Sequence, residues 1–238
     1  MPWDFWLIFL VLGVWIPWRG RVRLKRLLSQ PPPGPKEKLA LYGATLAFQW
    51  ILLAVVAWRA IGHGLTAREL GLERVRQAEV LLVGVAGSAI LAALQWFNLR
   101  HLSRTPGPTR DFMSKLADRL LPKQTVEFAP YCALAVTAGV CEEFLYRGFA
   151  MAALYRVGIP SWAVVTISSI LFGLAHAYQG RGGIVGTMLL GFLFAWARLT
   201  FASLMPVMIW HTGIDLSAGI AGPRYLSMDR IVPAPEAK

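Results

Sequence analysis

Six residues in the apolar second half of the chain have the types and spacing to do chemistry: Glu142, Glu143, Arg147, His176, His211 and Asp215. Carboxylates and imidazoles are the side chains that exchange protons near neutral pH. An ionisable group held at membrane depth costs roughly 2.5 to 3.5 kcal/mol on insertion scales, and such groups face a bundle interior or water. Glu143 and Arg147 stand at i and i+4 with the acid first, the favourable order for a pair on one helix face. Their expected role is a buried salt bridge that supports the site. Glu142 points about 100° away from Glu143 and has no basic residue one turn off, so it is left for His176 or a water. His211 and Asp215 repeat the i, i+4 spacing, which lets the acid orient the ring. A lone buried histidine is most often packing, but two histidines and an unpaired glutamate in one apolar core mark a site. Phe172, one turn before His176, reads as packing.

The elements that must hold these residues are membrane helices. Of 238 residues, 56% are hydrophobic and 16% charged. With a mean hydropathy of +0.51, the chain is far more apolar than a soluble core requires. The sequence predicts an all-α, polytopic transmembrane bundle of about seven spans, near residues 4–18, 39–61, 79–97, 130–157, 161–178, 183–198 and 203–219. Trp3, Trp18 and Trp58 at the ends of apolar runs suit the membrane interface. The first run lacks a basic start and a small-residue cleavage site, so it reads as an anchor. Gly158 and Pro160 break the fourth span and return the chain at once into the fifth. Glu142 and His176 lie about 17 residues on either side of Ile159, which at 1.5 Å per residue sets both roughly 25 Å from the turn. Three regions follow: N-terminal spans with basic loops (1–126), a core holding the site in the last four spans (127–222), and a short tail (223–238) expected to be disordered.

Charge sets the orientation. Arg19, Arg21, Arg23, Lys25, Arg26, Lys36 and Lys38 follow the first span, and Arg100, Arg104, Arg110, Lys115, Arg119 and Lys123 follow the third. The positive-inside rule makes both segments cytoplasmic, with the N-terminus outside and the C-terminus inside. The net charge of +11 is then a topology and lipid-surface signal, and nucleic acid is not an expected partner. Residues 30–35, Gln-Pro-Pro-Pro-Gly-Pro, read as a stiff spacer. Residues 110–121 carry apolar side chains at helical spacing and suit a helix lying on the cytoplasmic surface. Cys132 and Cys141 share one helix and imply no disulfide.

Glu142-Glu143-x-x-x-Arg147, Phe172-x-x-x-His176 and His211-x-x-x-Asp215, in this order on successive late spans, resemble the CPBP family of intramembrane proteases, named for CAAX proteases and bacteriocin-processing enzymes. The likeness covers roughly residues 131–219, and the N-terminal spans add nothing to it. An acid at Asp215 departs from the family, which commonly has Asn or another small polar residue there. The resemblance implies hydrolysis of a peptide bond. Glu142, with His176, would activate water, His211 with Asp215 would stabilise the oxyanion, and Glu143 and Arg147 would hold the site together. It implies membrane lipid and a peptide or membrane-protein substrate, prenylated or bacteriocin-like, as partners, and a place in a bacterial inner membrane. A metal-independent route is preferred. Zinc held by Glu142, His176, His211 and Asp215 is the alternative, although His-Glu-x-x-His is absent. A non-catalytic scaffold or immunity protein and a proton-relay transporter are the other classes to weigh.

Overall fold

The computed structural model describes residues 1–73 and 76–227, which form helices and connecting turns with no strand among the described residues. Helix α1 (Trp3–Ser29) passes through a π-helical turn at Val11–Trp15. It continues well beyond Trp18, because the Arg, Lys and Leu that follow are good helix formers, and it stops before the prolines. Arg119 holds the spacer by donating to the carbonyls of Leu27 (2.6 Å) and Gln30 (3.0 Å). Helix α2 (Pro35–Gly62) starts at Pro35, where a missing N–H is harmless. Then come α3 (Ala67–Leu70), α4 (Gln77–Arg104), α5 (Pro108–Leu120), α6 (Thr125–Arg156), α7 (Ser161–Ala175), α8 (Gly180–Phe201) and α9 (Met205–Leu226).

Each of the seven expected spans is a helix, and the protein is an all-α membrane bundle. By length and composition five described helices suffice to cross a membrane: α1, α2, α4, α6 and α8. Helix α7 is apolar but has only 15 residues. Helix α9 has 22 residues but is not among the five, since it carries His211, Asp215 and Arg224. It also runs past Pro223 to Leu226, because Ala221 and Leu226 are buried with Leu99 and Ala117. The remainder of the expected tail, from residue 228, lies outside the described residues. Helix α5 exists, yet part of its apolar face packs on the bundle: Leu116 and Ala117 are buried and Met113 joins the same cluster as Leu99.

Helix α6 is the centre of the molecule. Half of its most apolar window is buried, against 11 to 28% in the other four candidate spans. The outward side chains of those four, such as Trp58, Leu82, Ile90 and Trp196, are exposed apolar surface suited to lipid. Helix α2 runs parallel to α6 and meets it at three levels. Lys38 Nζ contacts Glu127 Oε2 at 3.3 Å near one end. Gln49 meets Glu142 midway, and Arg156 donates to the carbonyls of His63 (3.1 Å) and Gly64 at the other end. Helix α9 crosses α6 closely at Gly139, where a Cβ would meet the Thr212 side chain and lie 2.8 Å from the Met208 carbonyl oxygen. Small residues allow such approach between membrane helices. The α6–α7 turn uses Gly158 at φ +80°, a conformation open to glycine at little cost.

The connection between α2 and α4 folds back onto the bundle. Thr66 Oγ1 accepts from the Glu69 N–H, and Glu69 Oε2 accepts from the Thr66 N–H at 2.7 Å, a reciprocal cap on the short α3. Arg156 then grips the Glu69 carboxylate at 2.8 and 3.0 Å. These bonds, with Arg156 the largest influence, lower the Glu69 pKa to about 2.

Candidate active site

The glutamate pair sits at a change of helical geometry. The α-helical part of α6 ends at Glu143 and a π-helical stretch, Phe144–Ala150, follows with every residue buried. Such wider turns recur at functional sites. Arg147 NH1 donates to Glu143 Oε1 at 2.9 Å, and both side chains are fully buried. The guanidinium also lies 4.0 Å from the Phe172 ring centroid and 5.5 Å from that of Phe194, so aromatic faces share its charge where few donors reach.

Glu143 has a second partner. His211 Nδ1 lies 2.8 Å from the same Oε1 atom. Since a carboxylate only accepts, Nδ1 carries the proton and Nε2 faces the opposite way. Nε2 is 3.7 Å from Asp215 Oδ2, an ion-pair distance but too long for a hydrogen bond. His211 thus has two carboxylate neighbours: Glu143, reached across the α6–α9 contact at 2.8 Å, and the expected Asp215 at 3.7 Å. Asp215 is half-buried, and its backbone carbonyl accepts from the Tyr131 hydroxyl at 2.9 Å.

His176 caps the end of α7, where its Nδ1 is 2.9 Å from the Phe172 carbonyl oxygen. That oxygen can only accept, so the Nδ1–H donates and the neutral ring keeps its lone pair on Nε2. Nε2 lies 3.8 Å from Glu142 Oε2. The gap exceeds a hydrogen bond and is of the length that one bridging water spans. Phe172 serves as more than filler: it supplies the carbonyl, lies 4.6 Å from the His176 ring and meets the His211 ring edge-on at 5.7 Å.

Glu142 has a partner that the sequence reading missed. Gln49 Nε2, on α2, donates to Glu142 Oε1 at 2.8 Å. A polar amide inside an otherwise apolar span was the available signal, since such a residue is costly in lipid unless it faces a partner. As for a metal, no group of three or more His, Cys, Asp or Glu among the described residues is arranged to hold one. Glu142 with His176, and His211 with Asp215, form two loose pairs, and each histidine holds Nδ1 on a second partner and turns Nε2 toward its carboxylate.

Fold and polar core together define an integral membrane protein with one buried acid–histidine pair, Glu143–His211, and two partly buried ones, Glu142–His176 and Asp215–His211, on α6, α7 and α9. Residues 124–217, somewhat under half of the chain, match the family model described as type II CAAX prenyl endopeptidase Rce1-like. In this C-terminal core the chain is similar to the CAAX protease, or CPBP, family of peptidases. No curated protein and no solved structure matches the chain.

Proposed function

We propose that the protein is an intramembrane endopeptidase of the CAAX type that hydrolyses a peptide bond near the cytoplasmic face by carboxylate-activated water. The observation that carries this reading is the facing of Glu142 Oε2 and His176 Nε2 across 3.8 Å, in a chain whose core matches the CAAX endopeptidase family. Glu142 takes a proton from the water as the oxygen attacks the scissile carbonyl. His176 holds the water through its Nε2 lone pair. His211, protonated on both nitrogens, donates from Nε2 to the oxyanion, with the Glu143 and Asp215 carboxylates offsetting its charge. Collapse of the tetrahedral adduct breaks the C–N bond, and the proton on Glu142 passes to the leaving amine.

Arg147 and Glu143 position the site without touching substrate. The basic segments after α1 and α4 orient the chain with its N-terminus outside. On that orientation the α6–α7 turn lies outside, and the site, roughly 25 Å away, lies in the cytoplasmic half of a bilayer core about 30 Å thick.

The test uses bacterial membrane vesicles containing the full chain and a quenched-fluorescence farnesylated peptide ending in Cys-aliphatic-aliphatic-X. Inverted vesicles should cleave it, and sealed right-side-out vesicles should not. Glu142→Gln and His176→Ala should each lower the rate by about 10²-fold or more, the range for loss of a positioned acid–base group. Undiminished cleavage by both variants would remove the proposed site, and cleavage confined to right-side-out vesicles would invert the orientation.

A further inference from the structure

The N-terminal spans lie outside the segment that matches the peptidase family, yet one of their side chains enters the polar core. Gln49 is nearly buried in the middle of α2, and its Nε2 bonds Glu142 Oε1 at 2.8 Å. The neighbouring Trp50 fixes this stretch of α2 against α6 by donating from Nε1 to Thr137 Oγ1 at 3.1 Å. The other atom of the amide, Gln49 Oε1, is buried with no hydrogen-bond partner. Leaving an acceptor unpaired is costly. A glutamine kept only to tie two helices together would satisfy both ends, as the Trp50–Thr137 pair does with one bond and no orphan. The arrangement makes sense if the donor end is what matters.

We propose that Gln49 is a positioning residue for Glu142: by holding Oε1, it turns Oε2 toward His176 and the attacking water. The inference rests on the role of Glu142 as general base. A carboxylate has two equivalent oxygens and a rotatable end, so without a donor on one of them the base samples orientations that miss the water. Misplacement of a reacting group by about 1 Å can cost on the order of 10²-fold in rate. The other charged or titratable groups near Glu142, namely Cys141, Tyr146, Arg147, His176, Tyr178, His211 and Asp215, come from α6, the end of α7, the turn after it and α9. None lies on α2, so substitution of Gln49 leaves them in place.

The test has two arms on the full-length protein in proteoliposomes. Infrared difference spectra of wild type against Glu142→Gln identify the Glu142 carboxylate stretch. In Gln49→Leu that band should shift in frequency as a donor is lost, and in the packing control Trp50→Phe it should stay where it is. With the farnesylated peptide as probe, Gln49→Leu should lower kcat by about 10- to 100-fold with KM little changed, at an unfolding temperature close to wild type. An unmoved band, or a moved band with wild-type kcat, overturns the role. If wild type fails to cleave, the peptidase reading fails. The infrared arm then decides whether Gln49 holds Glu142 at all, and its failure would sink the contact as well. Should Gln49→Leu not fold, Gln49→Met, which keeps the side-chain length and removes the amide donor, replaces it in both arms.

Discussion

Glu142 and Glu143 are neighbours in sequence and face different partners. Glu143 carries two donors on one oxygen, Arg147 NH1 and His211 Nδ1, while Glu142 has Gln49 on one oxygen and faces His176 with the other. Breaking a buried ion pair by removing one member typically costs about 3 to 5 kcal/mol, because the remaining charge is left unpaired. Arg147→Met is therefore expected to lower thermal stability in detergent strongly. The double variant Glu143→Gln/Arg147→Met should recover part of the loss, which thermal unfolding of the three proteins measures. Much of this division was legible beforehand: the i, i+4 spacing identifies the Glu143–Arg147 pair, and equal distances from the Ile159 turn set Glu142 level with His176. Spacing within one helix is silent about a neighbouring helix. The Glu143–His211 contact at 2.8 Å and the Gln49–Glu142 bond both join different helices, so no spacing in the sequence marks them.

At the scale of elements, the short connection between α2 and α4 is held to the bundle by Arg156. This side chain ends α6 and reaches the Glu69 carboxylate and the carbonyls of His63 and Gly64. Glu69 is depressed to about pKa 2 from an ordinary 4.5, chiefly by the Arg156 hydrogen bonds. A depressed carboxyl stabilises the fold fully above its unfolded value and loses that contribution as pH falls toward the folded one. The attachment should therefore be intact above about pH 4.5 and weaken progressively toward pH 2. Half-exposed pairs are worth at most about 1 kcal/mol, so the effect is local. Pepsin cleavage of the connection across this range should accelerate as pH falls below about 4 in wild type, beyond the protease's own pH dependence. Glu69→Gln should be cleaved more readily at the upper end and show a flatter profile. Hydropathy located every long helix, since lipid selects continuous apolar runs. It gave helix ends less well: α1 and α9 overran because basic residues propagate a helix and because Leu226 finds a buried seat.

For the whole molecule, half of the apolar window of α6 is buried while the other four candidate spans turn mostly outward, with exposed apolar side chains such as Trp58 and Leu82. The first half of the chain supplies, through Gln49, a bond to the central carboxylate. Likeness to known peptidases stops short of this half, as residues 124–217 bound the family match. Composition and the long apolar runs together point to the membrane bundle, because 56% hydrophobic residues with 16% charged exceed what a soluble core requires. The central proposal is that Glu142 activates the hydrolytic water without a metal, and isotope incorporation tests it most directly. Purified protein in proteoliposomes would be incubated with the farnesylated peptide in ¹⁸O-water and excess chelator, and the products weighed by mass spectrometry. The account predicts that wild type releases the C-terminal tripeptide and leaves ¹⁸O in the new carboxyl group, while Glu142→Gln leaves the peptide intact. Cleavage by Glu142→Gln at the wild-type rate, or wild-type cleavage that stops with chelator and returns with zinc, would contradict it.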